Sequence, residues 1–126
     1  MRIEHVALWV KDLNIIKDFY KKYFGTQTSE LYHNSRTGFK SYFLTFDDKT
    51  RLEIMTRADI KDTNRENVFG FAHISISVGS KQQVDKMTAI IANDGFTVVS
   101  NPRTTGDGCY ESSIKDPEGN IIEITE

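Results

Sequence analysis

Cysteine, proline and long apolar runs are scarce in this sequence, which has one cysteine and two prolines among 126 residues. The single cysteine, Cys109, excludes an internal disulfide framework and is typical of a reducing compartment, so we expect a cytoplasmic protein. No apolar run approaches the roughly 20 residues that a membrane-spanning helix needs. Residues 1–10 also lack the pattern of a signal peptide.

An excess of charge of one sign is lacking as well, because 16 basic residues stand against 18 acidic ones and the formal net charge is −2. This balance argues against nucleic acid or an anionic membrane as the main partner. Hydrophobic residues make up 38% of the chain and are spread along it. A single domain with a packed core is therefore expected.

The clearest feature that is present is an internal repeat. Residues 3–10 (IEHVALWV) and residues 71–78 (FAHISISV) alternate in the same phase, with a histidine at the third position of each, His5 and His73. Such alternation predicts a half-buried strand in each half. An amphipathic stretch follows each strand, from about residue 12 to 24 and from about residue 80 to 93, and predicts a helix.

The ends of both helices carry the expected signals. Asp12 and Ser80 stand at the N-cap positions, and Gly25 and Gly95 follow the last turns. The residues expected on the buried stripes are Leu13, Ile16, Phe19, Tyr20, Tyr23 and Phe24 in the first helix, and Val84, Met87, Ile90 and Ile91 in the second.

Each half then ends in a predicted hairpin whose last strand contains a glutamate, Glu53 or Glu123. Residues 42–46 turn through 47–49 into 51–55, and residues 112–114 turn through Asp-Pro-Glu-Gly (116–119) into 121–124. The histidines are 68 residues apart and the glutamates 70 apart, so the halves keep register. We therefore predict one α+β domain of two tandem β-α-β-β-β modules (about 1–57 and 70–126), joined by a polar linker (58–69), that form a curved mixed sheet.

Strand parity predicts a metal site. Because side chains alternate across a strand, the two histidines and the two glutamates all leave the helix-covered face. Neutral imidazole and carboxylate oxygen are ligands that suit nickel, cobalt, zinc, iron or manganese, and they do not distinguish among these ions. The candidate ligands of one divalent metal ion are His5, Glu53, His73 and Glu123.

Other residues are candidates for contacts with a substrate. Trp9 and Met55 share the face of the predicted ligands. Arg103 lies in residues 102–108, which predict a loop that is either a lid or a plain connection. Arg103, like Arg51 and Arg57, either binds an acidic group of the substrate or is a solvated surface charge. We expect Cys109 to be a half-buried, unreactive residue and His33 to lie at the surface or the rim of the site.

The chain resembles the vicinal oxygen chelate superfamily of glyoxalases, bleomycin resistance proteins and extradiol dioxygenases. The resemblance covers essentially the whole chain and is carried by IEHVALWVKDL, DFYKKYFG, RLEIM, FAHISISV and KDPEGNIIEI. The order His, Glu, His, Glu is similar to the four metal positions of glyoxalase I. Three-ligand members of the superfamily generally lack an acidic residue matching Glu53, so the resemblance is closest to glyoxalase I-like proteins.

This resemblance implies a metal-dependent lactoylglutathione lyase-type isomerisation, in which a thiol–α-oxoaldehyde adduct reacts through a metal-bound enediolate. Glu123, together with Glu53, would be catalytic, and glutathione or another thiol would be the cosubstrate. The resemblance also implies a homodimer with shared metal sites. Trp9 stands where bacterial glyoxalase I usually has arginine, so the resemblance does not decide which thiol is the cosubstrate. The alternatives are another enzyme of the superfamily, an epimerase or dioxygenase, and a non-catalytic drug-binding resistance protein.

Overall fold

The computed structural model describes residues 3–62 and 69–126. The chain divides into two compact units, residues 1–65 and residues 66–126. Residues 63–68 of the predicted linker lie outside the described residues. The exact module bounds, 1–57 and 70–126, therefore stay a prediction.

Over residues 3–62, the first unit contains one helix and one mixed sheet. Its elements are β1 (His5–Trp9), α1 (Leu13–Phe24), β2 (Gln27–Thr28), β3 (Tyr32–Asn34), β4 (Phe39–Thr45) and β5 (Arg51–Thr56). The strand order is β1-β5-β4-β2, and β3 also pairs with β4. β1 runs parallel to β5, whereas the other pairs are antiparallel. Two short strands, β2 and β3, thus stand where one strand was expected.

The second unit has the predicted β-α-β-β-β order without an insertion. Its elements are β6 (Ile74–Ser77), α2 (Lys81–Asn93), β7 (Val98–Thr104), β8 (Tyr110–Lys115) and β9 (Ile121–Thr125). The strand order is β6-β9-β8-β7, with β6 parallel to β9. The predicted α+β fold class is confirmed, with one helix and one mixed sheet in the described residues of each unit.

The helix α1 forms because capping residues stand at both of its ends and apolar residues line one of its faces. The Asp12 carboxylate accepts hydrogen bonds from the backbone N–H groups of Asn14 and Ile15 at 2.8 and 3.0 Å. Gly25 ends the helix in the left-handed conformation, with φ 65°. Four residues of the predicted stripe are buried and pack over the sheet, Leu13, Ile16, Phe19 and Tyr20, whereas Tyr23 and Phe24 are half-buried.

The helix α2 buries only part of the predicted stripe. Val84, Thr88 and Ile91 are buried, while Ile90 is 44% exposed. Burial of Thr88 costs little because its hydroxyl is hydrogen-bonded. It donates to the Val84 carbonyl at 2.7 Å and lies 2.6 Å from the buried Ser112 hydroxyl on β8. Apolar periodicity therefore identified Val84 and Ile91 correctly but was wrong for Ile90, because it takes no account of two polar side chains that hydrogen-bond to each other in the core.

The two hairpin turns are equivalent. The backbone N–H groups of Phe46 and Asp116 donate to the carbonyls of Thr50 and Asn120, each at 2.9 Å. Lys49 and Gly119 then occupy the same turn position and both have positive φ, 72° and 85°. The repeat inferred from the sequence therefore extends to the backbone of the turns.

Two strand boundaries differ from the prediction. β6 begins at Ile74, so residues 71–73, including His73, precede the strand. β7 extends to Thr104, so Pro102 and Arg103 belong to a strand and not to a loop. Pro102 is tolerated because β7 is the edge strand and its register shifts between Ser100 and Arg103.

In the described part of the chain, no helix has both the length and the apolar character that crossing a membrane requires.

Candidate metal centre

In the first unit, the parallel pairing of β1 and β5 brings His5 and Glu53 together. Ala7 is the register partner of Glu53, and His5 lies two residues earlier on the same face of the sheet. The distance from His5 Nε2 to Glu53 Oε2 is 3.9 Å. The imidazole is 38% exposed and the carboxylate 16%, so the pair lies at an accessible surface of this unit.

In the second unit, β6 and β9 repeat this arrangement. Ser75 is the register partner of Glu123, and His73 precedes it by two residues. The distance from His73 Nε2 to Glu123 Oε2 is 3.5 Å, and the two side chains are 43% and 18% exposed. Each unit thus presents one imidazole and one carboxylate from equivalent positions.

The chemistry and spacing of each pair fit two ligands of one metal ion. Donors that are about 2.0–2.2 Å from a metal lie roughly 2.8–3.6 Å from each other, the shorter distances in octahedral and the longer ones in tetrahedral geometry. The distances of 3.5 and 3.9 Å are close to this range. Within each unit, the described residues form no group of three or more potential ligands. Each unit therefore offers two donors, and the predicted four-ligand site stays a prediction.

Glu4 orients His5, a contact that the sequence did not reveal. The Glu4 carboxylate contacts His5 Nδ1 on one oxygen and the Arg51 guanidinium on the other. The hydrogen bond with His5, followed by that with Arg51, lowers the pKa of Glu4. A bond at Nδ1 directs the other ring nitrogen toward Glu53, as is usual for metal-binding histidines. Ala72 holds the matching place before His73, so the second unit lacks this contact.

Besides His73, Glu123 has the polar neighbours Ser75 and Glu111. The Ser75 hydroxyl donates to Glu123 Oε1 at 2.6 Å. Burial raises the pKa of Glu111, and the neighbouring Glu123 charge and a hydrogen bond with it raise that pKa further, against the effect of Arg103. Neither Ser75 nor Glu111 was a predicted site residue. Strand parity places Ser75 on the face of His73, which is the signal that identifies it.

Arg103, the predicted substrate contact on β7, already interacts with neighbouring polar groups. Its guanidinium contacts the Ser100 hydroxyl and lies 3.8 Å from Glu111 Oε1. Its side chain is 51% exposed, so it remains accessible from solvent. The structure thus links Arg103 to the Glu123 surroundings through Glu111.

Trp9 belongs to an aromatic cluster on the sheet of the first unit. Its ring meets the edge of Phe39 at 6.1 Å, and Phe39 lies 6.0 Å from Tyr32. The Arg57 guanidinium lies 5.5 Å from the centre of the Trp9 ring. Met55 is the register partner of Trp9 and is half-buried. Two predicted substrate contacts, Trp9 and Met55, are therefore adjacent on the two strands that carry His5 and Glu53.

Cys109 and His33 are both exposed. The prediction that Cys109 is half-buried was wrong, because the residue follows the turn after β7 and precedes β8. The negative charge of Asp107 raises the pKa of the Cys109 thiol, and this opposes formation of a nucleophilic thiolate. His33 lies on β3 opposite Lys40, and its exposure agrees with the prediction of a surface or rim residue.

Comparison with protein families decides the assignment. The model of the Glyoxalase/Bleomycin resistance protein/Dioxygenase superfamily matches residues 2–124. The chain belongs to this superfamily. The resemblance stated from the sequence is therefore confirmed at the level of the superfamily. No protein of curated function shows a significant match.

Solved structures of the glyoxalase superfamily share the fold. A possible glyoxalase from Bacillus cereus is 26% identical, with a TM-score of 0.74; the match covers 100% of this chain and 99% of that one. Glyoxalase I from Zea mays is 20% identical, with a TM-score of 0.79, and 98% of this chain covers 44% of the maize chain. The trypanothione-dependent glyoxalase I of Leishmania major is 20% identical, with a TM-score of 0.78 and coverages of 100% and 86%.

Proposed function

We propose that this member of the glyoxalase superfamily is a metal-dependent enzyme of glyoxalase I type. It would isomerise the adduct of a small α-oxoaldehyde and a thiol, as a lactoylglutathione lyase does. The observation that carries the proposal is the pairing of His5 with Glu53 and of His73 with Glu123 at equivalent positions of the two units. Imidazole and carboxylate are ligands that suit divalent metal ions of this kind, so the four residues together would form one ligand set.

His5, Glu53, His73 and Glu123 would hold the divalent ion, which is nickel, cobalt, zinc, iron or manganese. When bound, the ion would polarise the substrate oxygens and so make the neighbouring C–H group more acidic. We further propose that two chains form a homodimer with shared sites, since glyoxalase-fold proteins are commonly dimers. The single cysteine fits action in the cytoplasm.

Glu123 would be the base. Its carboxylate would take the proton from one carbon of the adduct and return it to the adjacent carbon, so that the reaction needs no oxidant or reductant. The position of this carboxylate supports the role, because Ser75 holds one oxygen while the other lies 3.5 Å from His73. Glu53 would supply the second carboxylate of the site.

Trp9, Met55 and Arg103 would contact the substrate. Trp9 offers an aromatic surface and cannot form the forked charge-assisted bonds of an arginine. The cosubstrate would therefore be glutathione or another thiol. The Leishmania major structure is that of a trypanothione-dependent glyoxalase I, so the fold is compatible with a different thiol.

The test is turnover by metal-reconstituted protein. Protein stripped with a chelator and reloaded with nickel, cobalt, zinc, iron or manganese is mixed with methylglyoxal and glutathione, or with another low-molecular-weight thiol. The thioester product is followed by its ultraviolet absorbance. We expect turnover with at least one metal and none in the stripped protein; absence of turnover with every metal and thiol would overturn the proposal.

A second candidate is a protein that binds a small molecule without turnover, or an epimerase or dioxygenase of the same superfamily. The aromatic cluster of Trp9, Phe39 and Tyr32 favours an apolar or aromatic ligand. Metal content separates these functions. A purified protein that binds no metal, yet binds aromatic compounds, would identify the binding protein; a metalloprotein inactive on thiol adducts would identify another enzyme.

A further inference from the structure

The two units differ at one position that touches the candidate ligands. Ala7 faces Glu53 across β1 and β5, whereas Ser75 faces Glu123 across β6 and β9. The two positions are equivalent, because each lies two residues after a histidine. The methyl side chain of alanine in the first unit is thus replaced by the hydroxymethyl side chain of serine in the second.

The Ser75 hydroxyl uses this position to bind the carboxylate. It donates to Glu123 Oε1 at 2.6 Å, a length typical of a charge-assisted bond. The other oxygen, Oε2, lies 3.5 Å from His73 Nε2. The register of β6 and β9 places Ser75 opposite Glu123, and a single side-chain torsion then brings the serine oxygen to the carboxylate.

A carboxylate without such a bond rotates easily, because the last torsion of glutamate has a broad, roughly two-fold profile. In the first unit, the matching contact acts on the other partner: Glu4 binds His5, and Ala7 leaves Glu53 without a hydroxyl neighbour at this position. Each unit therefore fixes a different member of its pair, the histidine in the first and the glutamate in the second.

We propose that Ser75 is a positioning residue that holds Glu123 Oε1, so that Oε2 is directed toward the metal-binding side of the pair beside His73. This inference rests on the proposed function, because it assigns Ser75 a role in the same site. A carboxylate that is oriented before the metal arrives loses less conformational freedom on binding. Residues that orient metal ligands typically contribute 10–100-fold to metal affinity or activity.

The experiment compares Ser75→Ala, Ser75→Thr and the control Ser77→Ala. Ser77 lies two residues further along β6, on the same face, and is exposed. Affinity for Co²⁺ and Zn²⁺ is measured by competition with a chromogenic chelator, and the visible spectrum of the Co²⁺ form reports the ligand geometry. Thermal unfolding without metal verifies that every variant folds.

We expect Ser75→Ala to weaken metal affinity about 10-fold and to alter the Co²⁺ spectrum. Ser75→Thr, which keeps the hydroxyl on a residue that favours strands, should restore both. Ser77→Ala should resemble the wild type. The turnover number should fall in Ser75→Ala more than the KM changes, because the base is misplaced while substrate contacts remain.

The outcomes separate the two proposals. If the wild type binds metal and Ser75→Ala matches it in affinity, spectrum and turnover, the role of Ser75 is refuted and the proposed function stands. Failure of Ser75→Thr to rescue a defect would also refute it, since the hydroxyl would then not be the cause. If the wild type binds neither of these ions, and neither nickel, iron nor manganese in the same competition assay, the proposed function fails and the role of Ser75 fails with it.

Discussion

At the residue scale, equivalent turn positions carry different residues, with an energetic consequence. Lys49 adopts φ 72° where Gly119 adopts φ 85°. A Cβ at Gly119 would meet nothing within 4 Å, so only backbone strain opposes a side chain there. The left-handed conformation costs an L-residue about 1–2 kcal/mol. The first unit therefore stores strain that the second avoids.

We expect Gly119→Ala to lower the free energy of unfolding by about 1–2 kcal/mol. Lys49→Gly should raise it by about 0.5 kcal/mol, since relief of strain exceeds the entropy that glycine adds to the unfolded chain. Urea titrations measure both changes. Gly106→Ala is the control: Gly106 lies outside the positive-φ region, has no neighbour within 4 Å of a Cβ, and should be near neutral. Equal effects of the two Gly→Ala changes would contradict the argument.

Two aspartates of the hairpins should give opposite pH dependences. Burial raises the pKa of Asp116 despite its bonds from Asn120 and Glu118, whereas hydrogen bonds from Thr50 lower the pKa of the exposed Asp48. A raised folded-state pKa gives stability that is present at low pH and is lost as the pH rises through that pKa. A lowered one gives stability that is present above the ordinary pKa and is lost as the pH falls through the folded-state pKa.

We therefore expect the wild type to lose stability relative to Asp116→Asn as the pH rises through the carboxyl range. Relative to Asp48→Asn, it should lose stability as the pH falls. Urea unfolding of the three proteins at a series of acidic pH values measures the differences. Slopes of the same sign for both pairs would show that the stated causes are wrong.

The role of Glu123 is also tested at a single residue. Glu123→Gln removes the base without opening a core cavity, so turnover should fall by at least about 100-fold while the melting temperature changes little. Glu30→Gln, at an exposed position, is the matched control and should keep full activity. Undiminished turnover of Glu123→Gln would remove Glu123 from the mechanism.

At the scale of elements, β9 links the core to the candidate site. Ile122 and Ile124 are fully buried beneath α2, and Glu123 between them points to the other face. The pairing with β6 on one side and β8 on the other then fixes the register of Glu123. A strand that is hydrogen-bonded on both edges presents a carboxylate at a defined place, because the isoleucines on either side of it are packed in the core.

Shortening a buried side chain of this strand should therefore lower the stability of the fold. We expect Ile122→Ala to lower the free energy of unfolding by about 2–5 kcal/mol, because it leaves a cavity in a fully buried position. Val99→Ala, on the edge strand β7 where Val99 is 49% exposed, should cost much less. Chemical denaturation compares the two variants, and a similar loss in both would argue against the described core of this unit.

At the scale of the whole molecule, metal binding should stabilise the fold. A ligand that binds only the folded state at 100 times its Kd adds about 2.7 kcal/mol. We expect Zn²⁺ or Ni²⁺ to raise the melting temperature of the stripped protein and a chelator to reverse the effect. Mg²⁺, which prefers an all-oxygen shell, is the control and should have little effect. No shift with any transition metal would contradict the metal site.

Much of the fold was predictable from local patterns. Asp12, Ser80 and Gly25 marked the helix ends, and alternation gave the strand faces, because capping and parity depend on residues that are near one another in sequence. The strand Val98–Thr104 was missed in part because Pro102 predicts a break, and only the edge position on the sheet permits it.

By itself, the sequence determined the duplicated α+β architecture, the superfamily and the pairing of one histidine with one glutamate in each half. Repeats and periodicities depend only on the order of residues along the chain, so they can be recognised without a structure. Only the tertiary structure decided that Ser75 holds Glu123, that Glu4 holds His5, and that Thr88 replaces Ile90 in the core. These contacts depend on strand register and on satisfying individual polar groups, which residues distant in sequence decide together.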